Sequence, residues 1–112
     1  MTRNDDDPEV IFARVRTYEW DARKRESTLR EREIDFEDAR VVFDGSTIVR
    51  RSDRKGERRY MVFGFLDEIE IVVICTVTDE VCRIISARRA RRDERKKYHA
   101  RLPRLSSPEG EE

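Results

Sequence analysis

Val81-Cys82-Arg83-Ile84-Ile85-Ser86-Ala87-Arg88-Arg89-Ala90 reads as a β-strand, and it runs without a break into Arg91 to Leu102, a helical stretch closed by Pro103. β-Branched and apolar residues suit the pleated, half-buried surface of a sheet, whereas Arg, Glu and Lys in sequence favour a helix. From Arg83 to Arg101 nine Lys or Arg stand against two acids, in a chain whose 25 cations and 25 acids cancel. Charge gathered in this way marks a surface that meets phosphate, although Lys and Arg on an exposed face also serve simply to solvate it.

Upstream, short turn signals separate three further strand-like runs. Arg54-Lys55-Gly56-Glu57 predicts a turn between Ser46 to Arg51 and Arg58 to Leu66; Asp67-Glu68 and Thr78-Asp79-Glu80 flank Ile69 to Val77, and Val81 to Arg88 is the last strand. Connections this short make an antiparallel meander of about four strands. A second cationic stretch, Arg50 to Arg59, holds six cations and two acids on one of these turns.

Before the strands, Asp21 is an N-cap for a helix over Ala22 to Glu33, thinly apolar with Ala22 and Leu29 on its stripe. Asp35 caps a second short helix with Phe36, Ala39 and Phe43 on one face, stopped by Asp44-Gly45. The first fifteen residues are undecided between a helix opened by Asp7-Pro8 and an extended stretch. The fold class is therefore α+β: two N-terminal helices, the meander, and a C-terminal basic helix. The expected division is a peripheral extension over 1–17, a single domain over 18–102, and a disordered acidic tail over 103–112.

With 112 residues there is room for one domain and a modest core. The longest apolar run, Tyr60 to Leu66, is seven residues, against the roughly twenty that span a bilayer. The acidic start lacks the apolar centre of a signal peptide, so a cytoplasmic protein with no membrane contact is expected. Cys75 and Cys82 form no CxxC pattern and are expected as buried free thiols that approach each other only diagonally across a hairpin. His99 stands alone among cations, so no metal site and no cofactor are expected. With one histidine and no glycine-rich phosphate loop, a Ser-His-Asp hydrolase or a nucleotide-binding fold is excluded.

Three stretches in this order and spacing together resemble the BrnT family of toxins from bacterial type II toxin–antitoxin pairs. They are Tyr18-Glu19-Trp20-Asp21-x-x-Lys24; Ile34-Asp35-Phe36-Glu37-Asp38-Ala39-x-x-Val42-Phe43-Asp44; and Arg83-Ile84-Ile85-Ser86-Ala87-Arg88-x-Ala90 followed by Glu94 and Tyr98. The resemblance spans roughly residues 18–100. It implies a RelE-like fold, RNA cleavage that arrests growth, and neutralisation by a BrnA-like antitoxin. The toxin would then work within a hetero-oligomer and meet operator DNA only through that antitoxin. One stretch departs from the family pattern: where the family has an Asn and later a Lys-His-Gly triplet, this chain has Thr28 and Glu31-Arg32-Glu33.

RNA cleavage without metal needs the 2′-hydroxyl in line with the phosphate, a proton acceptor, and cations for the charge gathering on the phosphoryl oxygens. Arg suits the third task because its planar fork donates two hydrogen bonds and keeps its charge. The candidate catalytic residues are accordingly Arg83, Arg88, Lys24 and Tyr98, and the candidate RNA contacts are Arg58, Arg59, Ser86, Arg89 and Arg92. Each cation has the alternative of a salt bridge to one of the 25 acids, and Tyr98 the alternative of an aromatic anchor for the closing helix. Trp20 offers a stacking face for a base, or a core anchor. Two other functions fit the same residues: a catalytically weakened binding module that survives as a co-repressor subunit, and a nucleic-acid-binding protein with no toxin history.

Overall fold

Each of the three tight turns places a residue in the left-handed region, Lys55 (φ 51°) with Gly56 (φ 81°), Asp67 (φ 56°) and Asp79 (φ 54°). Turns of that hand match the right-handed twist of the strands they join and so close antiparallel hairpins. In the computed structural model, which describes residues 7–44 and 47–98, they link β2 (Ile48–Arg51), β3 (Tyr60–Leu66), β4 (Ile69–Thr78) and β5 (Val81–Arg89) into the expected meander.

The chain begins differently from the sequence expectation. Asp7 caps a short helix α1 (Pro8–Ala13), and a strand β1 (Thr17–Trp20) follows before the two helices. β1 lies parallel to β5, Tyr18 beside Cys82 and Trp20 beside Ile84, so the sheet is five-stranded and mixed in the order β1-β5-β4-β3-β2. The four-strand, all-antiparallel expectation is corrected on this point. Its cause is distance along the chain: β1 has no hairpin partner, and finds one only after helices and three strands have intervened.

Helix α2 (Ala22–Arg32) starts where the Asp21 carboxylate accepts from the Arg23 and Lys24 amides, at 2.8 and 3.2 Å. The second cap also forms, Asp35 accepting from the Glu37 amide at 3.0 Å and opening α3 (Phe36–Ala39). That helix tightens at once into a 3₁₀ turn over Arg40–Phe43. With three residues per turn, Phe36, Ala39 and Val42 share the buried face, and Phe43 sits beside it instead of at its centre. Asp35 further accepts from Arg25 at 2.7 and 3.0 Å, a forked pair that ties α2 to α3 and holds the Asp35 carboxyl below the usual range. Arg25 also lies over the Trp20 ring, 5.7 Å from its centre.

All these helices cover one face of the sheet. The fully buried Tyr60, Val62, Ile71, Val73, Cys75, Cys82 and Ile84 point there and meet Ile34, Phe36, Ala39 and Val42, with Ile11, Phe12 and Trp20 packed around them. The helix-on-sheet contact is closest at Gly64, where a Cβ would fall 2.9 Å from that of Val42; only glycine leaves the 3₁₀ turn room to sit down. The opposite face is closed at one end only, where α4 (Arg92–Tyr98) lays Tyr98 on Phe63, ring centres 4.5 Å apart, beside Phe65, Val72 and Ala90. Cys75 and Cys82 are free thiols in the covered core, two register positions apart on the diagonal as expected. The stop at Gly45, His99, the extension of the closing helix to Leu102 and the 103–112 tail lie outside the described residues. Among the described residues no helix is long and apolar enough to cross a membrane.

Candidate RNA-binding site

Side chains alternate between the faces of a strand, so Arg83 and Arg88, five residues apart, belong on opposite faces of a regular β5. They do not lie there. Arg83 pairs with Thr76, Ile84 with Cys75, but Ser86 with Ile74 and Arg88 with Val72, so that Ile85 is an extra residue that bulges from the ladder. The bulge reverses the alternation, and Arg83, Ser86 and Arg88 all stand on the half-open face, with Arg83 and Arg88 separated by four residues of β4, about 13 Å.

The two arginines have unlike surroundings. Arg83 donates to Glu19 on β1 at 3.2 Å, with both side chains about half exposed (48% and 55%). Arg88 forks onto Glu94 of α4 at 2.8 and 2.9 Å, with only 16% and 13% of the side chains exposed, and Glu94 also accepts from the Arg91 amide at 2.7 Å. The Arg88 guanidinium is the main cause holding the Glu94 carboxyl below its ordinary value. Arg88 thus fixes the start of α4, and Tyr98, 5% exposed, fixes its end, its hydroxyl accepting from Arg50 of β2.

Beyond Ile84 β1 ends, and the outer edge of β5 meets α2 instead. Arg32, the last residue of that helix, donates to the Ala87 carbonyl at 2.9 Å and to Ser86 Oγ at 3.3 Å. An open cleft of about 430 Å³ lies at this junction, lined by Glu31, Arg32, Glu33, Arg88 and Arg89. Arg32 is the site residue that the sequence reading passed over; its helical phase with Arg25 and Thr28, which face the sheet, is the signal that points it at β5.

The other candidates lie apart from this junction. Lys24 is exposed in the first turn of α2 and Arg92 exposed at the start of α4. Arg58 and Arg59 adjoin the β2–β3 hairpin, two strands from β5 or about 10 Å, with Arg59 on Glu57 at 2.8 Å. Trp20 packs edge-on against Phe36, ring centres 6.2 Å apart, within the covered core. A larger groove, about 830 Å³, runs under α1 past Phe12, Tyr18 and Phe43, but its lining includes Asp7, Glu9 and Asp44 and no cation, which is the wrong charge for phosphate.

The family model described as the BrnT ribonuclease toxin of type II toxin–antitoxin systems matches residues 20–94, from the end of β1 to the partner of Arg88. This chain belongs to the BrnT family. The crystal structure of the Brucella abortus ribonuclease toxin BrnT is similar to it, at 31% identity with a TM-score of 0.56 over 68% of this chain and 97% of that one. No curated protein matches the chain. Against the BrnT pattern the departing triplet has a structural meaning. Glu33, at the place of the usual glycine, is the left-handed C-cap of α2 (φ 61°, ψ 34°), its amide donating to Leu29 O at 3.0 Å.

Proposed function

We propose that this BrnT-family toxin is a metal-independent endoribonuclease that acts on RNA laid along the open face of β5, RelE-like in its fold and its chemistry. A BrnA-like antitoxin covers that face, and operator DNA is met only through the antitoxin. The observation that carries the reading is the bulge at Ile85, which gathers Arg83, Ser86 and Arg88 on one face beside the cleft of Arg32 and Arg89. A catalyst that works by positioning and electrostatics needs such convergent donors.

The parts divide by their surroundings. Arg83, exposed on that face, and Arg89, which pairs with Ile71 of the covered face and so reaches RNA from the cleft at the outer edge of β5, meet the phosphates, with Lys24, Arg58, Arg59 and Arg92 as outlying cations that draw the strand in. Arg88 and Tyr98 hold α4 in place, and Ser86 is left at the junction to donate to a phosphoryl oxygen.

One observation favours the second reading, a binding module acting as co-repressor subunit. Three of the four groups expected to do chemistry already have protein partners: Arg88 forks onto Glu94, the Tyr98 hydroxyl accepts from Arg50, and Arg83 holds the half-exposed Glu19. Induced expression of the wild type and of Arg83→Ala, with growth and total RNA followed, separates the two. Arrest with RNA cleavage that persists in a chelator, and that Arg83→Ala weakens at least tenfold, supports the ribonuclease. Normal growth and intact RNA with soluble protein present supports the binding module.

A further inference from the structure

We propose that Glu33 is the proton acceptor of RNA cleavage, so that the stretch in which this chain leaves the BrnT pattern supplies a base. The proposal rests on the endoribonuclease reading. The cations of the site are plentiful, but a phosphodiester is cut by its own 2′-hydroxyl only if some group takes the proton, and among the described residues no histidine lies near. Two carboxylates, Glu31 and Glu33, line the same cleft as Arg32, Arg88 and Arg89, and neither forms an ion pair among the described residues although three guanidinium groups surround them. An acid left unpaired among arginines is placed for something other than charge balance.

Glu33 is the better held of the two. Its backbone is pinned in the left-handed region by the bond to Leu29 O, and the preceding residue, Arg32, is tied to Ala87 and Ser86. The carboxylate therefore has a fixed origin at the junction with β5. Glu31 lies inside the last helical turn and, like Glu33, has an exposed side chain; it lacks the left-handed cap that fixes Glu33. Glycine enters the left-handed region without strain, so a glutamate there is a costly way to end a helix. The cost is accounted for if the carboxylate works.

In the step, the 2′-hydroxyl gives its proton to the Glu33 carboxylate as its oxygen bonds to phosphorus. The bond from phosphorus to the 5′-oxygen breaks, and that oxygen takes the proton back from Glu33 through water. A 2′,3′-cyclic phosphate and a 5′-hydroxyl result, Glu33 is regenerated, and Arg32 and Arg89 offset the charge on the phosphoryl oxygens.

The test uses the purified full chain on a single-stranded RNA oligonucleotide, comparing wild type with Glu33→Gln, Glu33→Gly and Glu31→Gln. Both Glu33 variants are expected to cut about a hundredfold more slowly or worse. Glu33→Gly is expected to melt above the wild type, so its loss of cutting is not a loss of fold, and Glu31→Gln is expected to cut normally. A Glu33→Gly chain that cuts within a few-fold of the wild type overturns the proposal alone. So does a loss confined to Glu31→Gln. A folded wild type that cuts no RNA overturns both this proposal and the reading beneath it.

Discussion

The two faces of the sheet are made from the same five strands and finished in opposite ways. One is covered from edge to edge by α1, α2, α3 and the 3₁₀ turn, and its residues are almost all fully buried. The other is closed only where α4 lies, and past that helix Ile74, Ile85 and Thr76 remain partly exposed among Arg83 and Ser86. A small domain can stabilise itself with one well-sealed face, which leaves the second free to carry groups chosen for what they bind. Stability and function are thus separated across the thickness of one sheet.

The largest effect that tests the comparison is on the sealed face. Phe36→Ala, at a fully buried position, is expected to cost about 3–5 kcal/mol in denaturant unfolding, whereas Ile74→Ala on the half-open face costs about 1 kcal/mol or less. Equal costs would mean that the open face is a second core and the separation is false.

Next is the forked Arg88–Glu94 contact of the open face. The Arg88 pair depresses the Glu94 carboxyl, so its contribution to stability is complete above the unfolded-state value and is lost as the pH falls through the lower folded-state value. Arg88→Ala is expected to lower stability at neutral pH by about 2 kcal/mol, less than a fully buried pair because both side chains keep some contact with water. Glu94→Gln is expected to flatten the acid limb of the stability profile. An unchanged profile would detach α4 from this contact.

The smallest expected change in stability is at Arg83. Its pair with Glu19 is half exposed, so Arg83→Ala is expected to leave the melting temperature unaltered while reducing the salt dependence of RNA binding by about one phosphate contact. A melting temperature that drops with affinity would make Arg83 a structural residue of the β1–β5 contact.

What the sequence made legible was local chemistry. Asp21 and Asp35 were readable as caps because a carboxylate satisfies amides two or three residues away, and the hairpin turns were readable from Lys55-Gly56, Asp67 and Asp79. The parallel pairing of β1 was hidden because its partner lies more than sixty residues on. The site was half legible: the cationic strand stood out, but which arginines share a face depended on one extra residue at Ile85, and no composition rule marks a bulge. The reach of Arg32 to Ala87 was equally out of view, since it depends on where β1 stops covering the edge of β5.

The paired thiols in the sealed face have a practical consequence. The Cys82 thiol beside it, with burial adding to its effect, pushes the Cys75 thiol well above its ordinary value, so in the native state it stays protonated and inert to alkylating or oxidising reagents. Both sulfurs become reactive only when the β4–β5 hairpin parts, which makes the rate of thiol labelling a clock for the opening of the central sheet, built into the chain without any added probe.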